Sequence, residues 1–221
     1  MVSQVTQEDN IAMMSRYPDK FFDLAIVDPP YGIDLANMNM GVGKSKKASK
    51  IQNRKWVSKD WDVAPDDNYF KELFRVSKNQ IIWGGNYFTL PTSQYFAVWD
   101  KGAGLTGRSF AECEYAWVGN GGTRIIHLNP VQKERFHPTQ KPISLYTWLL
   151  QNYAKQGDKI LDTHLGSGSS RIAAYDLGFD FYGCELDKGY FDASCKRFNI
   201  HIAQQKLFSP TITPCEQTTI F

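Results

Sequence analysis

The run Phe22-Asp23-Leu24-Ala25-Ile26-Val27 leads directly into Asp28-Pro29-Pro30-Tyr31, and this junction leaves the chain few options. A short apolar run, β-branched near its end and stopped by two prolines, reads as a strand buried on both faces of a parallel sheet. Pro29 and Pro30 have no N–H to give a neighbouring strand, so the ladder ends there. They also restrict the backbone around them, which presents Asp28 and Tyr31 stiffly at the carboxyl end of the strand. In open α/β sheets that edge is where ligands bind. Taken alone, the four residues fit a proline-terminated strand and its turn equally well.

A second segment far downstream tips the balance. Lys159-Ile160-Leu161 is a short apolar strand, followed by Asp162-Thr163-His164-Leu165-Gly166-Ser167-Gly168-Ser169-Ser170 and by a helical stretch from Arg171 to Leu177. Gly166 and Gly168 fall in a strand-to-helix turn, where a backbone can approach a ligand closely. Arg171 stands where the dinucleotide fingerprint requires its third glycine, which disfavours NAD. Asp180-Phe181-Tyr182-Gly183-Cys184-Glu185 is a second strand ending in an acid, and Glu185 lies 19 residues past Gly166. That is close to the ~20-residue offset at which a carboxylate meets ribose hydroxyls. Each piece is ordinary βαβ construction; together they point to a nucleoside-type cofactor.

The two segments, with His137-Pro138-Thr139-Gln140-Lys141-Pro142 ahead of the second, resemble the β class of DNA amino-methyltransferases that use S-adenosylmethionine. That family pairs a D-P-P-Y motif with a later D-P-F-x-G-S-G-T-like motif, and an H-P-x-x-K-P element precedes the cofactor motif. The resemblance spans roughly residues 6–208. It departs at Thr163 and His164, which stand where Pro-Phe is usual. It implies an α/β Rossmann-like methyltransferase fold: a mostly parallel twisted sheet, helices on both faces and permuted motif order. It also implies that Asp28, Pro29, Pro30 and Tyr31 are catalytic. Thr139, Lys141, Asp162, Gly166, Gly168, Ser169 and Glu185 would hold the cofactor. Asp9 reads on its own as a helix N-cap. The resemblance would place it against the cofactor's adenine, with the N-terminal strand beside the one ending at Glu185.

The composition is globular, with 42% hydrophobic and 14% aromatic residues in a chain of 221, enough for one domain with a proper core. A net charge of +2 says nothing about nucleic acid, so the distribution must carry that argument. From Leu35 to Lys59 there is no acid, while Lys44, Lys46, Lys47, Lys50, Arg54, Lys55 and Lys59 contribute seven positive charges. With Gly41 and Gly43 this reads as a basic loop leaving the catalytic turn, suited to phosphates. The plain alternative is a solvated surface loop. Gly43-Lys44-Ser45 mimics the end of a phosphate-binding P-loop, but Met38 occupies the position that needs glycine, so an NTPase is disfavoured. Cys113, Cys184, Cys195 and Cys215 show no C-x-x-C spacing, and His127 and His137 have no third ligand at a metal spacing, so no metal is expected. No targeting or membrane-spanning segment is expected, which fits a cytoplasmic enzyme.

The remaining elements follow from pattern. Helices are expected over 11–16, 66–77, 142–153 and 187–203, and strands over 2–7, 80–83 and 94–99. Residues 114–118 and 124–128 read as a hairpin around Asn120-Gly121-Gly122. The resemblance implies that the strands ending near Trp83, Asn86 and Trp99 wall the base pocket, although aromatics in such strands are more often core. Residues 1–208 are expected to form one domain, with a catalytic half over 1–136, a cofactor half over 137–208 and a flexible tail over 209–221. Target recognition would come from the basic loop, residues 101–136 or a second subunit in a homodimer. The reaction that the resemblance implies is methyl transfer to the 6-amino group of adenine in DNA. Cytosine-N4 or RNA methylation, and a non-catalytic DNA-binding regulator, remain as alternatives.

Overall fold

The computed structural model describes residues 1–33, 63–102, 111–130, 132 and 135–208. Among these, eight strands form a single sheet: β1 (Ser3–Gln7), β2 (Phe22–Val27), β3 (Ser77–Trp83), β4 (Tyr95–Asp100), β5 (Cys113–Val118), β6 (Arg124–His127), β7 (Lys159–Asp162) and β8 (Asp180–Glu185). Their spatial order is β1-β8-β7-β2-β3-β5-β4-β6. Only β5 runs against the rest of the described strands, pairing antiparallel with β3 and β4. The helices are α1 (Asn10–Met14), α2 (Asp67–Val76), α3 (Ile143–Tyr153), α4 (Ser169–Asp176) and α5 (Lys188–Phe208). The basic residues Lys44, Lys46, Lys47, Lys50, Arg54 and Lys55, and the tail 209–221, lie outside the described residues.

The alternation along β2 shows why the sheet is covered twice. Leu24 and Ile26 enter a core shared with Leu145, Leu149, Ala173 and Ala174 of α3 and α4. Ala25 and Val27 enter the opposite core with Met13, Met14, Tyr69, Phe70 and Leu73 of α1 and α2. Successive side chains on a strand point to opposite faces, so a near-continuous apolar strand requires a layer on each side. Burying each large aliphatic contributes about 1.5–3 kcal/mol. Helix α2 begins where Asp66 accepts a hydrogen bond from the Tyr69 amide at 3.0 Å, an N-cap that the sequence places one residue inside the helix.

Connectivity positions the site. From β7 the chain passes through α4 to β8 on one side, and from β2 through α2 to β3 on the other. Strands β2 and β7 are neighbours, so their carboxyl ends, Asp28 and Asp162, flank the point at which the sheet order reverses. A crevice opens at such a point in doubly wound sheets. At the far edge Gln7 of β1 is in register with Glu185 of β8, as the permuted order implies.

One expectation fails. Residues 113–118 and 124–127 do not form a hairpin. β5 already has β3 on one edge and β4 on the other, leaving no ladder for β6, which crosses to the outer edge of β4 and pairs with it in parallel. The glycines of the connection, Gly121 and Gly122, adopt positive φ, but they carry the chain past the amino end of β4 instead of closing a two-strand ribbon.

Candidate active site

Asp28 is met from two sides. Tyr31 Oη donates to Oδ1 at 2.8 Å, and Lys141 Nζ donates to Oδ2 at 2.5 Å. Lys141 Nζ also lies 3.1 Å from Glu114 Oε2 on β5, and Glu114 Oε1 lies 2.7 Å from Lys101 Nζ just past β4. Four charges thus alternate from Lys101 to Asp28, three of them almost wholly enclosed: the Lys141 side chain is 4% exposed and those of Asp28 and Lys101 12%. The ring of Trp83 is 5.2 Å from Lys141 Nζ, and that of Trp99 is 5.3 Å from Lys101 Nζ. Burial pushes the Asp28 carboxyl above its ordinary value; Lys141 pulls it back, and Glu114 adds to the rise. Burial also works to raise Glu114, yet Lys141 and Lys101 hold it at about 2. Lys141 stays charged because Asp28 and Glu114 together outweigh the cost of its burial.

The Tyr31 ring stacks on Tyr87 at 4.8 Å between centroids and 12° between planes, with Phe88 at its edge. Gly84, at φ +67°, makes room for it: a Cβ there would stand 2.2 Å from the Tyr31 ring. Both the left-handed backbone and the close approach call for glycine. Tyr87 is half exposed, so the pair forms an aromatic ledge beside Asp28 that opens to solvent.

Across the switch point lies the glycine turn. Gly166 (φ +50°) and Gly168 (φ +72°) occupy the left-handed region, the second at the N-cap of α4. The Gly166 amide donates to Glu185 Oε2 at 2.8 Å, and the Asp187 amide donates to Oε1 at 2.9 Å. Burial raises the Glu185 carboxyl, with these two amides opposing the rise. Asp162 is buried and accepts from the Ser170 hydroxyl at 2.5 Å and the His164 amide at 3.0 Å. Burial, aided by the charges of Asp28 and Glu185, pushes it up to about 7. Asp9 caps α1 by accepting from the Ala12 amide at 3.0 Å. Next to it, Asn10 Nδ2 reaches His164 Nε2 at 3.2 Å. Thr139 Oγ1 is 3.2 Å from His137 Nδ1, and a Cβ on Gly166 would lie 3.5 Å from the His137 ring.

Several sequence-expected residues converge and others do not. Asp9, Thr139, Asp162, Gly166, Gly168 and Glu185 line the carboxyl edge around β1, β8 and β7. Lys141, expected at the cofactor, instead has its ammonium on Asp28 and Glu114. Ser169, also expected there, turns its buried hydroxyl onto the Lys141 carbonyl oxygen at 2.8 Å, with Arg197 2.9 Å away. Trp83 and Trp99 are buried and lie beside the two lysines, whereas Asn86 is exposed. His127 pairs with Asp100 at 2.7 Å, and among the described residues no group of three or more His, Cys, Asp or Glu could hold a metal ion. Sequence reasoning missed Glu114 and Lys101. A single acid in a strand and a lysine in a turn carry no spacing signal, and only the pairing of β4 with β5 brings them together. His164 did leave a trace, as a departure from the expected Phe.

The donor set fits an adenosyl cofactor. Two left-handed glycines let the backbone approach a ligand, and Glu185 keeps lone pairs beyond those used by two amides. Sheet order, reversal point and paired acidic strand ends define a Rossmann-like transferase domain. The DNA methylase family model matches residues 34–196. The type II methyltransferase M2.DpnII of Streptococcus pneumoniae is 41% identical over 239 residues, covering 87% of this chain and 88% of that protein. M2.LlaDCHI of Lactococcus lactis subsp. cremoris is 38% identical over 237 residues, covering 86% and 87%. Among solved structures, the M1.HpyAVI-SAM complex superposes with a TM-score of 0.56 at 18% identity over 90% of this chain and 100% of that one. The PvuII DNA methyltransferase, described as cytosine-N4-specific, gives 0.57 at 10% identity over 92% of each. These two likenesses bear on the fold. The chain belongs to the N6/N4 DNA methylase family, whose members transfer a methyl group from S-adenosylmethionine to an exocyclic amine of a DNA base. No helix among the described residues is long and apolar enough to cross a membrane.

Proposed function

We propose that this chain methylates the 6-amino group of adenine in DNA, with Asp28, Pro29, Pro30 and Tyr31 at the target base. The observation that carries this reading is Asp28 itself: a strand-end carboxylate beside two prolines, across the switch point from the glycine turn, with the Tyr31 ring alongside. The exocyclic amine is a poor nucleophile because its lone pair is delocalised into the ring. Asp28 accepts one amino hydrogen and the Pro29 carbonyl the other, which favours a pyramidal nitrogen with an available lone pair. Each carboxylate oxygen has a second lone pair free for this beyond its bond to Tyr31 or Lys141. Tyr31 stacks on the base, which must leave the duplex to reach Asp28. Glu185 would accept from the cofactor's ribose and Asp9 would face its adenine, with Thr139, Asp162, Gly166 and Gly168 completing the cleft that would hold it. Bound S-adenosylmethionine supplies an electrophilic methyl group on a sulfonium. The protein's part is alignment, worth many orders of magnitude when two reactants are held in line.

Residues 1–208 act as one domain in this reading, since one sheet runs through both the catalytic half (1–136) and the cofactor half (137–208). Lys44, Lys46, Lys47, Lys50, Arg54 and Lys55 hold phosphates, and further recognition contacts come from residues 101–136 or from a second subunit in a homodimer. The test is mass spectrometry of nucleosides after duplex DNA, and separately RNA, is incubated with the protein and S-adenosylmethionine. N6-methyldeoxyadenosine is expected. N4-methyldeoxycytidine alone would assign the other amine, and methylated ribonucleosides alone would move the substrate to RNA.

A further inference from the structure

The line of charges from Lys101 to Asp28 answers to neither half of the site as the motifs divide it. Lys141 belongs to the element that precedes the glycine turn, yet its ammonium is 2.5 Å from Asp28 Oδ2 and 3.1 Å from Glu114 Oε2. Its ammonium stands over the Trp83 ring, 5.2 Å from the centroid, and its backbone carbonyl is fastened by Ser169 Oγ at 2.8 Å. Glu114 is anchored from outside by Lys101 at 2.7 Å.

We propose that Lys141, braced by Glu114 and Lys101, is a positioning residue for Asp28: it holds the carboxylate ionised and aimed at the target amine, and it makes no contact with the cofactor. This rests on the assignment of Asp28 to the target amine. A buried carboxylate next to a second acid tends to take up a proton, and a protonated Asp28 would be a poorer acceptor for an amino hydrogen. The groups that face Asp28 are Tyr31 from its own turn, Lys141 from the 137–142 turn, Glu114 from β5, Tyr146 from α3 and Asp162 from β7. Lys141 is the single cation in that set, while Glu114 and Asp162 oppose ionisation. Glu114 has a double effect. Its charge disfavours the Asp28 carboxylate, but its two oxygens, Oε2 toward Lys141 and Oε1 toward Lys101, bridge the lysines and keep the ammonium from swinging free. Tyr31 adds a second fixed point, so the carboxylate is held by one donor on each oxygen. The amine then meets a group that cannot rotate away.

The two neighbours of Asp28 predict opposite pH effects. In Lys141→Met the carboxylate loses its cation, so the acid limb of kcat moves to higher pH and the rate at neutral pH falls at least about tenfold. Lys141→Arg keeps the charge and recovers part of that loss. In Glu114→Gln a like charge is removed, so the acid limb moves to lower pH. Calorimetry should give the same S-adenosylmethionine affinity in Lys141→Met as in the parent protein. An activity-independent reading comes from protein labelled with 13C at the aspartate carboxyls, with Asp28 assigned by the resonance missing in Asp28→Asn. Its titration should shift up in Lys141→Met and down in Glu114→Gln. Should Lys141→Met not fold, Lys141→Gln, which removes the charge but keeps a polar side chain, takes its place in every reading. Limbs and resonance that stay put in both variants, or a lost cofactor affinity in folded Lys141→Met, would overturn the proposal. Shifts in the resonance from a parent protein that methylates no DNA amine would uphold the charge arrangement and refute the function assigned to Asp28.

Discussion

At the residue scale the proposed function divides the work between two acids, Asp28 and Glu185. Asp28 stands at the end of β2 against Tyr31 and Lys141, while Glu185 stands two strands away, at the end of β8, against the Gly166 amide. Asp28→Ala should therefore lower methyl transfer by roughly 10²-fold or more, a loss of the size seen when a preorganised polar group is deleted from an active site. Cofactor affinity in that variant should stay within a few-fold of the parent value by calorimetry. Its loss from a folded Asp28→Ala would show that the two acids share one role. Glu185→Ala should do the converse. Removing a charge-assisted acceptor costs roughly 1.5–3 kcal/mol, about 10- to 150-fold in cofactor dissociation constant, and it also frees the Gly166 amide. Transfer at saturating cofactor should be much less affected. A dissociation constant that does not change would remove Glu185 from the cofactor cleft.

At the scale of elements, one ring ties three of them together. His164 follows β7 and takes the Asn10 amide of α1 on Nε2 at 3.2 Å. With Nε2 accepting, Nδ1 carries the proton and faces Thr163 Oγ1 at 3.0 Å and the Tyr69 hydroxyl of α2 at 3.5 Å. Tyr69 Oη is also 2.7 Å from Thr163 Oγ1. Burial holds the imidazole at about 4, with Asp9 opposing the shift, against an ordinary 6.5. A histidine depressed in the folded state charges more readily once the chain unfolds. Its contribution is complete above the unfolded value and is lost as pH falls from about 6.5 to about 4. His164→Phe keeps an aromatic ring but removes the titration. It should lose about 1–2 kcal/mol at pH 8, where hydrogen bonds vanish, and should lose less than the parent on going to pH 4.5. Denaturant melts at the two pH values check this. A parent and variant with parallel pH profiles would mean that the ring titrates normally.

At the scale of the whole molecule, the proposed cofactor cleft and base ledge share the carboxyl edge of the sheet, and the basic stretch follows Tyr31 in the sequence. Seven positive charges between Lys44 and Lys59 with no acid among them suit a phosphate-holding segment that adds little to base choice. Neutralising Lys44, Lys46, Lys47 and Lys50 together should weaken binding to all duplex sequences alike. It should also flatten the log–log salt dependence by up to about 3–4 units, roughly 0.9 for each phosphate no longer engaged. Cofactor affinity should not change. A variant with its salt slope intact and its target sequence altered would instead make this stretch a reader of bases.

How far the sequence reached follows from the range of the interactions involved. Strand β2 and its double proline, the strand-to-helix turn at Gly166 and Gly168, the Asp9 cap and the strand ending at Glu185 are local patterns. Hydrophobic period, missing amide donors and left-handed glycines are properties of a few consecutive residues, so they could be read without the fold. The permuted pairing of β1 with β8 was legible too, because the motif order implied it. What depended on partners distant in the chain was not. The apparent hairpin dissolved because both edges of β5 were already occupied, which no local turn signal reveals. Lys141 sat in a motif that pointed to the cofactor, yet the tertiary structure set it on Asp28 and Glu114, 113 and 27 residues away. A buried ammonium goes to whichever carboxylates the packing brings within reach, because leaving it unpaired in the interior costs several kcal/mol. The sequence alone thus determined the strand ends and the chemistry they present, and only the packing of distant strands decided which charges those ends would share.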